Sequence, residues 1–213
     1  MLRTIAGSIL FVVFMVAGWG SLDFFRHIPH CIISVSAVVA PFLVPRSKSS
    51  ALKYGKERGE SSLQFLFLAF LSTVGVGFLL PFFAGHRLGV ISFSEPVRYA
   101  GVLIFLSGYW IRSVAAHTLK KQFSYFVTIQ EHHQLITSGI YSLIRHPVYL
   151  GTILAVVGMF MIFSTWFGLT FVFLYSGILI HRMSLEEKLL FKYFGSVYQE
   201  YSLKSFRLIP HIY

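Results

Sequence analysis

The chain has 213 residues, of which 55% are hydrophobic and only 12% charged, about half the charged fraction near 25% of an ordinary soluble domain; this excludes disorder and argues against a water-soluble globule. Eighteen Lys and Arg against eight Asp and Glu give a net charge of +10, but the basic residues stand in short clusters between apolar runs, as in an oriented membrane protein rather than a nucleic-acid binder. One cysteine, Cys31, excludes an intramolecular disulfide, and one aspartate, Asp23, leaves little for a carboxylate-bridged metal.

A transmembrane helix needs about 20 mainly apolar residues. Residues 5–22 qualify as a first span. It follows the single Arg3, and Ala17-Gly18-Trp19 puts a bulky ring where a signal peptide would be cut, so a retained helix is expected. Residues 28–44 are shorter, carry His30 and Pro41, and pair with the first span as a hairpin. Residues 63–84 form a third, uncharged span. Residues 97–119 form a fourth, which contains Arg112 and His117. Residues 148–163 and 166–180 are short spans joined only by Ser164-Thr165, too little for anything but a tight helical hairpin. The expected fold is all-α: a polytopic membrane bundle of about six transmembrane helices with a cytoplasmic C-terminal helix.

With six spans, Arg3, the 46–58 cluster, Lys120, Lys121, Arg145, Arg182, Lys188, Lys192, Lys204 and Arg207 fall on one side. Arg26, Arg87 and Arg98 fall on the other. The positive-inside rule then puts both termini in the cytoplasm, with a bacterial inner membrane expected ahead of the endoplasmic reticulum. Polar residues gather on that side from Arg112 onward, through His117, Glu131, His132 and the Arg-His-Pro turn to Glu187. The expected organisation is therefore 1–111 as N-terminal membrane helices and 112–213 as the region carrying the chemistry.

Two constellations could do chemistry. Pro147 suits the first position of the fifth span, where its missing N–H is not needed. Tyr141, Arg145, His146 and Tyr149 thus crowd a helix N-terminus, which favours anions; an interfacial belt of Tyr and Arg is the equal alternative. Arg182 and Glu186 stand four apart on a helix that no Pro interrupts from 166 to 194, so they share a face, with Glu187 beside them. Beyond them Leu189, Leu190, Tyr193, Phe194, Val197, Tyr198 and Tyr201 recur at helical spacing, an amphipathic stretch that lies on the membrane or closes over a pocket. His132-His133 lacks the further His clusters of a membrane di-iron site, and no metal is expected. Arg112, two turns inside its span, either snorkels to the headgroups or anchors an anion.

These residues have a known counterpart. His133-Gln134-Leu135-Ile136, Gly139-Ile140-Tyr141 and Arg145-His146-Pro147-Val148-Tyr149 with Gly151 resemble the signature of the isoprenylcysteine carboxyl methyltransferases. The order continues with Arg182, Glu186-Glu187, Phe194-Gly195, Tyr198, Tyr201 and Arg207-Leu208-Ile209-Pro210. Lys120 stands where that pattern leads us to expect glycine. The resemblance covers roughly 112–210 and implies an integral-membrane methyltransferase that binds S-adenosylmethionine without a Rossmann domain. It implies that His133, Leu135, Tyr141, Arg145, His146 and Tyr149 hold the cofactor, that Arg182, Glu186 and Glu187 are catalytic, and that Arg112 meets the substrate. The acceptor enters from the bilayer as a lipophilic small molecule or prenylated group, and nucleic acid is not a partner. A carboxylate acceptor, as in an isoprenylcysteine, is already ionised at neutral pH and needs a cationic anchor such as Arg182 or Arg112. A small thiol or a phospholipid amine would need a base. A non-enzymatic membrane protein with a polar cytoplasmic layer is the reading from a different class.

Overall fold

The computed structural model describes residues 2–43, 57–58, 67–120, 123, 128–129, 134–210 and 212. Among them the order is α1 (Leu2–Trp19), a 3-10 turn (Leu22–Arg26), α2 (Ile28–Leu43), α3 (Phe67–Gly85), α4 (Glu95–Leu119), α5 (Pro147–Phe163), α6 (Trp166–Phe194) and α7 (Ser196–Lys204). The middle of α3, Ser72–Leu79, is π-helical. The sheet content described is one two-residue antiparallel pairing, Glu57 with Ile129 and Arg58 with Thr128.

Six apolar helices thus occupy the six expected segments. Phe67–Gly85, Glu95–Leu119 and Trp166–Phe194 are long and apolar enough to cross a membrane, while Ala6–Trp19, Ile28–Val39 and Pro147–Phe163 are shorter apolar helices. The expected hairpin after α5 is present. Ser164 is fully buried with φ +52°, and the Thr165 hydroxyl caps α6 by accepting from the Gly168 amide at 3.1 Å. With 29 residues, α6 is about 44 Å long at 1.5 Å per residue, well beyond a hydrocarbon core of about 30 Å; counted from Trp166, Arg182 lies about 24 Å along it, and Glu186 and Glu187 stand near that limit.

The tightest packing joins α4 and α5. Gly101 and Gly108 face Gly158 and Gly151, so close that a Cβ on Gly108 would lie 2.5 Å from the Gly151 carbonyl oxygen, and one on Gly158 2.5 Å from that of Gly101. Small residues at this spacing let two helix backbones touch, the usual means of association in lipid. Met15, Phe24, Ile33, Leu80, Phe105 and Ile162 belong to one buried cluster that ties the N-terminal helices to α4 and α5. The outward faces remain apolar, with Leu103 at 69%, Trp110 at 67% and Phe173 at 71% exposure. Such a surface suits lipid contact.

One expectation is corrected. The apolar stretch from Leu189 to Tyr201 is not one amphipathic helix: α6 ends at Phe194, and Gly195, at φ +55° and ψ −126°, turns the chain into α7. That backbone region is open to glycine and strained for other residues. Tyr198 on α7 folds back edge-on against Phe191, with ring centroids 4.7 Å apart, and is 1% exposed.

Candidate functional site

The Arg-His-Pro turn is built by the end of the chain. After the 3-10 turn Gly139–Ser142, Ile144 pairs with Phe206 in a parallel bridge. The Phe206 amide donates to the Leu143 carbonyl at 2.9 Å, the Arg145 amide to the Phe206 carbonyl at 2.8 Å, and the His146 amide to the Arg207 carbonyl at 3.1 Å. The Tyr201 hydroxyl adds a 2.7 Å bond to the Tyr141 carbonyl. The C-terminal residues therefore run along the turn like a strand and satisfy backbone groups that the start of α5 cannot. Burial pushes the phenols of Tyr141 and Tyr198 upward and that of Tyr201 up to about 12, so all three remain neutral donors at physiological pH.

Glu187 is the hub of this layer. Its Oε1 accepts from Arg145 Nε at 3.0 Å and lies 3.2 Å from His146 Nε2, while Oε2 is ion-paired with Arg207 Nε at 3.0 Å. Arg145 also donates through one Nη to the carbonyls of Ser202, at 2.8 Å, and Ser205. Arg207 donates to the Ser184 hydroxyl at 2.7 Å. One carboxylate thus joins the start of α5, the body of α6 and the tail after α7.

Glu186 takes a different part. The Arg182 Nε donates to the Tyr149 hydroxyl at 2.9 Å, and that hydroxyl donates to Glu186 Oε2 at 2.7 Å. Arg182 and Glu186 share the face expected from their spacing, and a phenol from α5 stands between them as a relay. Arg182 is 4% exposed. Deeper along the α4–α5 seam, Arg112 donates to the Thr152 hydroxyl at 3.3 Å, one helical turn below Tyr149. On α6, two turns before Arg182, the Tyr175 hydroxyl lies 2.7 Å from that of Ser72 on α3. The N-terminal half thereby reaches the same polar seam.

Of the residues singled out from sequence, Arg145, His146 and Glu187 form one polar network and Tyr149, Arg182 and Glu186 a second, the two meeting where the His146 and Tyr149 rings pack edge-on at 5.5 Å. Tyr141 joins the first through its backbone and is buried, and Arg112 lies at the membrane-facing end of the second. Leu135 is half-buried in the irregular segment before the 3-10 turn. His133 lies outside the described residues. Arg207, Ser184, Ser202 and Ser205 were missed as site residues. The Arg207-Leu208-Ile209-Pro210 tail was the only signal for Arg207, and nothing local marks the serines, two of which contribute backbone carbonyls.

Comparison with known proteins agrees with the motifs. Residues 101–192 match the Isoprenylcysteine carboxyl methyltransferase (ICMT) family, which bears out the resemblance read in the sequence. A probable protein-S-isoprenylcysteine O-methyltransferase of Oryza sativa subsp. indica is 32% identical over 119 residues, 54% of this chain and 62% of that protein. The protein-S-isoprenylcysteine O-methyltransferase of Saccharomyces cerevisiae is 30% identical over 160 residues, 72% of this chain and 65% of that protein. The chain thus spans somewhat under two thirds of the length of these relatives. The solved structure of a eukaryotic intramembrane Ras methyltransferase, an isoprenylcysteine carboxyl methyltransferase, superposes with a TM-score of 0.62 over 97% of this chain and 75% of that one, at 20% identity. At that identity the likeness speaks for the fold.

Proposed function

We propose that this chain, whose residues 101–192 match the isoprenylcysteine carboxyl methyltransferase family, is an integral-membrane methyltransferase that moves the methyl group of S-adenosylmethionine to the carboxylate of a prenylated-cysteine-like acceptor. The proposal assigns the catalytic region to 112–213 and the turned-out end of α6 to the cytoplasmic side, with both termini cytoplasmic. The observation that carries it is the division of labour between two adjacent acids. Glu187 is consumed by Arg145, His146 and Arg207, whereas Glu186 ends a relay that begins at the buried Arg182.

The donor set suits the cofactor. Tyr198 carries a buried hydroxyl with no partner among the described residues, and Glu186 accepts from Tyr149 through Oε2. In this reading Tyr141, Leu135, His146 and Tyr149 line the cofactor, His133 joins them, and the Arg145–Glu187–Arg207 cluster fixes the turn that presents them. When bound, the cofactor supplies an activated sulfonium methyl group. The work left to the chain is alignment and exclusion of water. Arg182 anchors the acceptor carboxylate, Tyr149 and Glu186 hold the guanidinium in place, and Arg112 meets the acceptor from the bilayer side.

The test is Arg182→Lys. A point-charge ammonium cannot reproduce the planar fork, so methyl transfer to a farnesylcysteine analogue should fall tenfold or more, about 1.4 kcal/mol in transition-state stabilisation, with cofactor affinity changed far less. The rate should stay nearly flat from about pH 6 to 9, because a carboxylate, which ordinarily titrates at about pH 4, is ionised throughout and needs no base. A steep rise over that window, with Arg182→Lys close to wild type, would replace the carboxylate by a thiol or amine acceptor.

A further inference from the structure

At the far end of the bundle, the 3-10 turn Leu22–Arg26 and the first turns of α2 and α4 enclose a cavity of about 190 Å³. It lies roughly 22 Å along α5 from the Arg-His-Pro turn, taking Pro147 to Ile162 at 1.5 Å per residue. Arg26, His27, His30 and Arg98 line it together with Glu95.

These groups are placed but not used up. Arg98 is 3.7 Å from Glu95, beyond hydrogen-bond reach, and its buried Nε has no hydrogen-bond partner among the described residues. The His30 ring is 2% exposed and packs against Phe24 and Phe163, with centroids at 4.7 and 4.9 Å. Its Nδ1 donates to the Phe24 carbonyl oxygen at 3.1 Å, which fixes the tautomer and leaves Nε2 as an acceptor, able to face an ammonium but not a phosphate oxygen. Helices α2 and α4 both begin here, each with proline at its second position, so their N-terminal ends add favourable potential for an anion.

The lining carries both signs. Arg26 is ion-paired with Asp23 at 3.1 Å, both side chains being largely exposed, and Glu95 stands beside Arg98. Two guanidiniums facing one cavity suit a phosphate, while the Glu95 carboxylate in the same lining suits an ammonium a few ångströms away. Ile28, which lines the cavity, is 59% exposed and supplies an apolar edge beside the polar groups. We infer that this cavity binds the phosphoethanolamine headgroup of a membrane phospholipid, with the phosphate toward Arg98 and Arg26, the ammonium toward Glu95, and the acyl chains along the apolar edge at Ile28. This site is separate from the methyl-transfer site and does not rest on that reading.

The experiment is native mass spectrometry of the full chain released from mixed micelles holding equal phosphatidylethanolamine, phosphatidylcholine and phosphatidylglycerol. Wild-type protein should retain phosphatidylethanolamine at least tenfold over each of the others. Arg98→Gln and Glu95→Gln should each cut that preference about tenfold, equivalent to about 1.4 kcal/mol. Arg26→Gln, at a largely exposed position where folding is not at stake, should cut it several-fold. Millimolar free phosphoethanolamine should compete, placing recognition in the headgroup. Equal retention of phosphatidylglycerol would remove the role of Glu95 and overturn the proposal. So would unchanged retention in Arg26→Gln and Arg98→Gln, or lipid retention indifferent to free phosphoethanolamine.

Discussion

Replacing Glu187 by Gln keeps the shape of the side chain and one acceptor oxygen but removes the charge that gathers Arg145, His146 and Arg207. The group is 15% exposed, and its partners Arg145, His146 and Arg207 are 13%, 3% and 18% exposed, so solvent screens these contacts only in part. A hydrogen bond to a charged group contributes about 1.5–3 kcal/mol and a neutral one about 0.5–1.5 kcal/mol. About 1 kcal/mol is therefore lost at the Arg145 hydrogen bond, up to about as much at the Arg207 ion pair and somewhat less at His146, a total of about 2–3 kcal/mol. For a chain of this size each kcal/mol lowers the melting temperature by roughly 2–4 °C, so Glu187→Gln should melt about 4–12 °C below wild type in detergent. Glu186→Gln supplies the contrast, since only the bond from Tyr149 is affected, for a loss of about 1 kcal/mol. Intrinsic fluorescence on heating, with monodispersity checked by size exclusion, reads both variants. If Glu186→Gln were the less stable of the two, or Glu187→Gln melted within a degree of wild type, Glu187 would not be the clamp described.

Tyr149→Phe removes the hydroxyl between Arg182 and Glu186 but keeps the ring, which packs edge-on to His146 at 5.5 Å; single-turnover methyl transfer should fall tenfold or more while the melting temperature moves little, and an unchanged rate would take the relay out of the mechanism. Gly158→Leu drives a side chain into the Gly101 carbonyl and the Phe105 backbone, which cannot yield, and should abolish recovery of monodisperse protein. Gly177→Leu, at a glycine with open space around it, should be recovered at wild-type yield, and comparable yields of the two would refute the seam. Lys120 ends α4 at φ +51° and ψ −117°, a region that strains any side chain. Lys120→Gly should accordingly raise the melting temperature by about 2–4 °C, for roughly 1 kcal/mol regained, and a lower value would count against the strain.

What could be read from the sequence alone were properties of short segments. Apolar length marks where helices run, because a helix in lipid must bond all its backbone internally, and all six segments were placed this way. Pro147 marks the start of α5 for an equally local reason, and the spacing of Arg182 and Glu186 places them on one face. The motifs pointed to the right layer because they bring chemistry-bearing residues to the ends of helices whose lengths are legible. The helix break at Gly195 was missed although the glycine was in view, since its φ is chosen by Tyr198 docking on Phe191.

Tertiary structure decided everything that depends on which segment meets which. Glycines seven apart are visible on α4 and α5, but their mutual contact is a choice of partner that periodicity does not contain. Glu186 and Glu187 are neighbours in the chain and point about 100° apart around the helix; which one becomes the clamp depends on Arg145 and on Arg207 arriving from opposite directions along the chain. Tyr149, from α5, is likewise what turns an i,i+4 pair into a relay. Sequence determined the elements and their chemistry, because these follow from local bonding and hydropathy. Folding assigned the roles, because a charge acquires its function from neighbours that only packing brings within about 3 Å.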